Sequence, residues 1–281
     1  MSSQNRPHDV CQPDKGQPDL RLRIGRYRLS FQTLTDVHLP AYAGSAWRGV
    51  FGHALKGAVC VTHERDCSQC LLYRSCAYPY IFETPPPPDA DRMRRYTAAP
   101  HPFVIYPLKS ERRTIPVQDT IGLELTLFGC SLNHLPYMIH AFRSAGKRGI
   151  GTGSGRFRLQ VLEQGMWDIN MPWRTIWEDG GQLMLAETTM PVIPPCPEQL
   201  RLELITPLRL KRDEHLVRPE PFAFHDLFRN LLRRISMLMY FHENKPLEVD
   251  FADLVQRSRA VPLVGSDLQW HEWTRYSSRQ R

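Results

Sequence analysis

Residues 121–162, IGLELTLFGCSLNHLPYMIHAFRSAGKRGIGTGSGRFRLQVL, contain the pattern that decides the fold. Apolar and polar side chains alternate along Ile121–Phe128, as in a strand with one buried face. Asn133 can cap a helix that continues to about Lys147. A glycine-rich loop then leads into a strand over Arg156–Leu162. The segment therefore predicts a strand, a helix and a second strand in succession.

The residues before this segment supply the other half of the same unit. Alternation over residues 20–38 predicts a long strand, and Ser45 is placed to cap a helix that runs to about Val61. A further strand is predicted at Pro102–Leu108. The complete order is β-α-β-β-α-β, which is the ferredoxin-like pattern.

A second unit begins in the same way, with a strand at Leu200–Leu210 and a helix at about Ala223–His242. On that helix Leu227, Leu231, Ile235 and Leu238 are predicted to be buried. The fold class is therefore α+β, with two tandem ferredoxin-like (RRM-like) domains. The predicted organisation is a disordered N-terminus (1–18), an N-terminal domain (19–163) with a cysteine-rich insert (60–84), a linker (164–198) and a C-terminal domain (199–281).

Composition narrows the class of protein. The chain has 281 residues, of which 42% are hydrophobic, so it can form a proper core. It has neither an apolar run long enough to span a membrane nor an apolar signal core near its start, which favours a cytoplasmic protein with no membrane partner. The formal net charge of +7 suits a polyanionic partner. Seven cysteines without an export signal favour reduced thiols.

The first predicted helix carries a candidate catalytic pair. His53 and Lys56 lie three residues apart, on the face opposite the apolar stripe, and Gly49 and Gly52 on that face leave bare backbone. A histidine can take a proton from a ribose 2′-hydroxyl, and a lysine can stabilise the charge on the phosphorane. RNA carries its own nucleophile, so no catalytic metal or cofactor is required. The alternative is a solvated polar face whose glycines serve packing.

The glycine-rich loop carries candidate RNA-binding residues. Because it follows a helix and leads into a strand, it is neither a P-loop nor a dinucleotide fingerprint. Glycines let a backbone approach a nucleic-acid chain, and the flanking cations can neutralise phosphates. The alternative is a flexible turn with incidental charge. The candidates are Lys147, Arg148, Gly151, Gly153, Arg156 and Arg158.

Basic residues elsewhere are also candidates for RNA contact. A guanidinium row on the long helix suits phosphates and 2′-hydroxyls, although a solvated arginine face is the alternative. Near the C-terminus, arginines alternate with aromatic residues that could stack single-stranded bases or else pack inward. These further candidates are Arg21, Arg23, Arg48, Arg229, Arg233, Arg234, Arg275 and Arg279.

Four cysteines of the insert have the spacing C-x6-C-x2-C-x5-C. Four thiolates can close a tetrahedral structural zinc site, and the central C-x2-C is the tight spacing that such sites use. An iron–sulfur cluster also accepts four thiolates, and unligated thiols remain a third interpretation. The residues are Cys60, Cys67, Cys70 and Cys76.

Four stretches together resemble a known family. They are LPAYAGSAWRGVFGHALK (39–56), the glycine-rich loop, and the late segments RPEPFAFHDLFRNLLRRISMLMYFHENKPLEVDF (218–251) and WHEWTRYSSRQ (270–280). Their order and spacing resemble the CRISPR pre-crRNA-processing endoribonucleases of the RAMP superfamily, over roughly residues 20–281. Such proteins usually continue past the last stretch into a glycine-rich segment and a final strand. The second domain is therefore expected to be either shortened or completed differently.

The resemblance implies an activity, a partner and residue roles. Members bind a CRISPR repeat RNA, often a hairpin, and cut it by 2′-hydroxyl attack to leave a 2′,3′-cyclic phosphate and a 5′-hydroxyl. A histidine of the first helix often acts with a lysine and a tyrosine, which by position are His53, Lys56 and Tyr42. Since active-site residues vary across the family, His38 is a rival.

Two other functions remain open from the sequence. A non-catalytic RAMP subunit would bind crRNA inside an effector complex with other CRISPR subunits, through the same basic surfaces. A zinc-stabilised nucleic-acid-binding protein unrelated to CRISPR would show no preference for a repeat over scrambled RNA.

Overall fold

The computed structural model describes residues 21–87, 99–108, 113–168, 170–187, 193–212 and 214–272. The predicted disorder of residues 1–18 lies outside them. The strands are β1 (Ile24–Thr33), β2 (Val37–His38), β3 (Phe103–Pro107), β4 (Thr114–Ile115), β5 (Thr120–Phe128), β6 (Phe157–Gly165), β7 (Trp173–Glu178), β8 (Lys211–Arg212) and β9 (His215–Leu216). The helices are α1 (Gly44–Val59), α2 (Leu135–Arg148), α3 (Phe224–His242) and α4 (Phe251–Ser258).

The chain divides into two compact units. The first consists of residues 1–193 and 237–246, and the second of residues 194–236 and 247–281. Both helices and antiparallel strands are present, as the predicted α+β class requires. None of the helices in the described residues is both long enough and apolar enough to cross a membrane.

The first unit is built on a five-stranded antiparallel sheet. Its order is β3-β5-β1-β6-β7, with Leu29 of β1 opposite Leu123 of β5 on one side and Leu162 of β6 on the other. Strands β1, β3, β5 and β6, together with the helices α1 and α2, have the order and connections of a ferredoxin-like unit. The β-α-β-β-α-β interpretation of the sequence is confirmed for this unit.

Alternation along β1 and β5 explains why one face of this sheet is buried. The odd-numbered residues of both strands pack against α1 and α2, while the even-numbered ones face the other way. Aromatic rings fill the centre: Phe31 stacks on Trp47 at 5.2 Å, and Phe51 stacks on Phe142 at 4.9 Å. Each such ring contributes roughly 2–3 kcal/mol through burial. This core fixes the ends of both helices relative to the strand ends.

Part of the predicted linker is a strand. Residues 164–198 were expected to connect two domains, but β6 continues to Gly165 and β7 pairs with it along the sheet edge. Ile176 is buried there, and the Trp177 indole donates to the Gly181 carbonyl at 3.0 Å. A register shift between Leu162 and Glu163 breaks the alternation in the pairing. Period-two analysis of the sequence therefore misses this strand.

The second unit differs from its prediction. Its described residues include the β8–β9 hairpin and α4, which Asp250 caps by accepting from the Asp253 amide at 2.9 Å. The strand predicted at Leu200–Leu210 is not formed, and Leu200 and Leu202 are exposed. Alternating leucines form a strand only where a partner strand pairs with them, and no such pairing occurs in this part of the described chain. A second ferredoxin-like domain is not confirmed.

The packing of α3 also differs from its predicted stripe. Leu238 is buried as expected, but Leu231 and Ile235 are 51% and 41% exposed. Burial is concentrated in the last turns of the helix, where Met239 and Phe241 are also buried. The amphipathic pattern of the sequence thus predicts the buried face of α3 correctly only near the C-terminal end of the helix.

Candidate nucleic-acid interface

The glycine-rich loop is a tight hairpin, whose ends Ile150 and Gly155 exchange backbone hydrogen bonds of 2.9 and 3.0 Å. Gly151 has φ +72°, and a Cβ there would lie 1.9 Å from the His38 carbonyl oxygen. By contrast, Gly153 at φ +81° has no atom within 4 Å of its would-be Cβ. Both glycines were predicted from the sequence to contact RNA. At position 151 glycine is required because the backbone of His38 lies too close for a side chain. Gly153, at the tip of the hairpin, has open space around it.

His38 adjoins this hairpin. Its carbonyl accepts from the Thr152 amide at 3.1 Å, and its exposed imidazole places Nδ1 3.0 Å from the Thr114 hydroxyl. Within the described residues Nε2 has no hydrogen-bond partner. The Thr114 contact orients the ring and leaves Nε2 able to give or take a proton. Neither the pairing of His38 with residue 152 nor that with residue 114 is visible in the sequence.

Exposed cations flank the hairpin on both sides. Lys147 and Arg148 end α2, and Arg156 precedes β6 with its amide donating to the Thr35 hydroxyl at 2.9 Å. Arg158 lies further along, with its guanidinium 3.9 Å from Asp179. The first three cations thus surround the hairpin with positive charge, and the charge of Arg158 is partly balanced.

His53 lies on an exposed face of α1, as the sequence predicts. One turn later a Cβ on Gly57 would lie 3.6 Å from the Arg148 guanidinium, so this face adjoins the base of the hairpin. The glycines beside His53 behave differently from each other: Gly49 is open, but Gly52 is buried under the ring of Phe82. Gly52 therefore admits a ring of the insert, not an external chain.

Lys56 does not stand beside His53 as a free cation. Its ammonium donates to the Arg65 carbonyl at 3.0 Å and lies 5.6 Å from the centre of the Tyr78 ring. Slight burial lowers its pKa, but the neighbouring Cys67 thiol outweighs this effect, so the pKa is raised. The side chain is directed into the cysteine-rich insert.

The remaining candidates of the first unit have separate surroundings. Tyr42 is 41% exposed in the loop before α1, and Arg21 is exposed. Arg48 lies 4.6 Å over the Phe82 ring. Arg23 forms a 2.8 Å ion pair with the buried carboxylate of Glu243. Arg23 and Arg48 are therefore held by contacts within the fold, while Tyr42 and Arg21 keep exposed side chains.

On α3, Arg229, Arg233 and Arg234 are exposed as the predicted guanidinium row requires. Partial desolvation of its guanidinium and the nearby charge of Arg233 lower the pKa of Arg234. Arg275 and Arg279 lie outside the described residues. RNA contact by this row stays a prediction.

The four cysteines of the insert, Cys60, Cys67, Cys70 and Cys76, carry free thiols and line one small cavity. Burial raises the pKa of the Cys67 and Cys76 thiols, so these two are poor nucleophiles at neutral pH. Among the described residues no set of three His, Cys, Asp or Glu side chains is arranged to hold a metal ion as it stands.

A group of stacked cations on the open face of the sheet was not predicted from the sequence. The guanidinium of Arg28 lies 4.0 Å over the Trp173 ring and bonds Glu124 at 2.9 Å, and Arg26 lies 4.9 Å over the same ring. The alternation of Arg26 and Arg28 on β1 was a usable signal. Trp173, however, belongs to the strand that was assigned to the linker.

Comparisons with known proteins separate the chain into two matched parts. Residues 22–189 match the AF_1859_N family of N-terminal domains, and residues 202–273 match the CRISPR-associated endoribonuclease Cas6 family. An uncharacterized protein of Archaeoglobus fulgidus is 23% identical over 197 residues, which cover 69% of this chain and 63% of that protein. The match thus spans less than two thirds of that relative.

One solved structure has a limited similarity. It is the Csm3-Csm4 subcomplex of a type III-A CRISPR-Cas interference complex, with a TM-score of 0.33 and 16% identity, covering 52% of this chain and 80% of that one. The first family match spans more than half of the chain, and the second follows it after a short interval. The chain therefore belongs to the AF_1859_N family, and its residues 202–273 are similar to the Cas6 family.

Proposed function

We propose that the protein is a metal-independent endoribonuclease that binds CRISPR repeat RNA and cleaves pre-crRNA by 2′-hydroxyl attack. One observation carries the proposal. The exposed imidazole of His38, oriented by Thr114, adjoins a hairpin flanked by Lys147, Arg148 and Arg156. A proton-transfer group thus stands next to cations suited to a phosphate chain. The match to the Cas6 family supports the same activity.

The chemistry needs two proton transfers and one stabilised charge. A base removes the 2′-hydroxyl proton, the 2′-oxygen attacks the adjacent phosphorus, and the bond to the 5′-oxygen breaks as an acid protonates it. The products are a 2′,3′-cyclic phosphate and a 5′-hydroxyl. His38, His53 and Tyr42 are the candidates for these two roles of acid and base. The cations that flank the hairpin stabilise the phosphorane.

Binding would rest mainly on phosphate contacts. A repeat RNA, including one that forms a hairpin, presents a dense line of phosphates, and each neutralised phosphate releases counterions. The exposed cations at the glycine hairpin and the arginine row of α3 are the proposed contacts. Affinity should therefore fall steeply as salt concentration rises.

The test is cleavage of repeat RNA in excess chelator, with the ends of the products mapped. We expect a cyclic phosphate and a 5′-hydroxyl at one position, and no cutting when the scissile nucleotide carries a 2′-deoxy sugar. Cleavage that needs a divalent cation, or that persists on the 2′-deoxy substrate, would contradict the mechanism.

A second candidate is a non-catalytic RAMP subunit that binds crRNA within a CRISPR effector complex. The observation that favours it is the position of Lys56, which bonds the Arg65 carbonyl in the insert and is thereby withdrawn from the predicted catalytic pair. A full chain that binds repeat RNA tightly and leaves it intact in every buffer would support this function. Scrambled RNA of equal length is the control for specificity in both cases.

A further inference from the structure

The four cysteines of the insert surround a cavity of about 20 Å³. Cys60 follows the last residue of α1, Cys67 starts a short 3₁₀ turn, Cys70 ends that turn, and Cys76 follows shortly after. Residues separated by up to 16 positions thus line one cavity. A cavity of this size can hold a single water molecule or ion.

Polar contacts hold the sulfurs around this space. The Thr62 hydroxyl lies 3.2 Å from the Cys70 sulfur and 4.0 Å from the Cys60 sulfur, so it bridges two of the four. The Leu72 amide donates to the Cys70 sulfur at 3.4 Å. Such N–H···S contacts are favourable to a thiolate because they place a donor on the charged sulfur.

The charge beside the cavity is what a tetrathiolate metal site needs. Four thiolates and one divalent ion carry a net charge of −2. The Lys56 ammonium faces Cys67 and lies at the edge of the cavity, anchored on the Arg65 carbonyl. Two carboxylates add negative charge near the site, because Glu64 lines the cavity and Glu83 lies near Cys67. Lys56 is thus the cation that directly offsets the thiolates.

We propose that Cys60, Cys67, Cys70 and Cys76 bind one Zn²⁺ ion and that Lys56 balances the charge of this site. Four soft thiolate donors suit zinc, whose structural sites such donors close as a tetrahedron. Binding releases the thiol protons and draws the sulfurs inward by side-chain rotation. The ion joins the insert to the C-terminal end of α1. Lys56 is a positioning residue of the metal site, and this proposal is independent of RNA cleavage.

The first test measures the metal in the full-length protein after purification without added metal. We expect about one zinc per chain by plasma mass spectrometry. Replacement by Co²⁺ under reducing, anaerobic conditions should give the visible bands of a tetrahedral tetrathiolate. Iron with acid-labile sulfide would overturn the proposal, as would a chain that contains no metal and takes up neither ion.

Variants then locate the site. Cys67→Ser and Cys70→Ser should lose the zinc, whereas Cys196→Ser should retain it, because Cys196 is an exposed free thiol outside the insert. If the first two fail to fold, the metal content of the wild type still decides.

The role of Lys56 has its own readout. Lys56→Met should lower zinc affinity by about 10-fold in competition with a chromogenic chelator, and Lys56→Arg should restore it. Unchanged affinity in Lys56→Met would overturn the charge-balancing role.

Discussion

His38 and His53 are both exposed imidazoles of the first unit, but their surroundings differ. His38 has a side-chain contact to Thr114 at 3.0 Å and a backbone bond to the glycine hairpin. His53 projects from α1 without a hydrogen-bond partner among the described residues, while Lys56 bonds the insert. One imidazole is thus oriented next to clustered cations, and the other has no orienting contact among the described residues.

The comparison shows why helical spacing alone is a weak guide to a catalytic group. His53 and Lys56 are neighbours on a helical wheel, yet a lysine side chain is long enough to bond elsewhere. His38 is brought to the hairpin by pairing across more than 100 residues. Catalysis requires groups held within hydrogen-bond reach, which such long-range pairing supplies.

The largest expected effect separates the two histidines directly. His38→Ala should slow single-turnover cleavage of repeat RNA by at least about 100-fold, the usual contribution of general acid–base catalysis. His53→Ala should cost less, about 10-fold, because its side chain is less constrained. His140→Ala, an exposed histidine of α2, is the matched control. The reverse order of the two rates would return His53 to the central role.

The second prediction concerns the hairpin that positions His38. Gly151→Ala should lower the free energy of unfolding by roughly 3 kcal/mol, since it combines a left-handed φ with a clash against the His38 carbonyl. Gly153→Ala also places an alanine at a left-handed φ, but without a clash, and should lower the free energy of unfolding by about 1 kcal/mol. Urea denaturation measures both. Equal losses would mean that the hairpin does not pack on His38.

The third prediction tests the cations on either side of the hairpin. Arg148→Ala and Arg156→Ala should each weaken RNA binding several-fold and reduce the slope of log K against log salt by about 0.7–1. Arg158→Ala is the comparison, because Asp179 already lies near its guanidinium, and its effect should be smaller. Filter binding over a salt series gives the slopes. If all three slopes equal that of the wild type, RNA contacts another surface.

The smallest effect concerns a third histidine, His134, and is an effect on stability. Burial lowers the pKa of His134, whose ring packs 5.2 Å from that of Tyr80. Between the folded and unfolded pKa values the unfolded chain binds more protons, so stability is complete above about pH 6.5 and falls as the pH decreases below it. His134→Asn should flatten this part of the stability curve. Thermal unfolding between pH 5 and 8 checks it, and an unchanged curve would contradict it.

This measurement also sharpens the comparison of the two surface histidines. His134→Asn removes the loss of stability at acid pH that comes from His134. The cleavage rates of His38→Ala and His53→Ala can then be compared in that background without this loss.

Sequence patterns predicted the first unit well because its signals are local. The alternation of β5 and the helical period of α2 each depend only on neighbouring residues, and both elements are where they were expected. Strand β7 and the stacking of Trp173 on Arg28 escaped prediction because a register shift hides the first and sequence distance hides the second. Leu200–Leu210 has strand-like alternation, but no partner strand pairs with it in the described chain.

Prediction of the candidate interface was limited in the same way. The exposure of His53 and of the hairpin cations follows from polarity and was anticipated. The bond of Lys56 to the insert and the ion pair of Arg23 with Glu243 depend on which segments lie close together in the fold. Composition and spacing contain little information about those meetings.

We propose that the scissile ribose docks at His38 and the glycine hairpin. A structure of the full chain with repeat RNA, blocked by a 2′-deoxy sugar at the scissile nucleotide, would locate this ribose. We expect the scissile phosphate beside the hairpin, with the 2′ position within about 3–4 Å of the His38 imidazole. RNA bound with its scissile phosphate away from both His38 and the hairpin would contradict it.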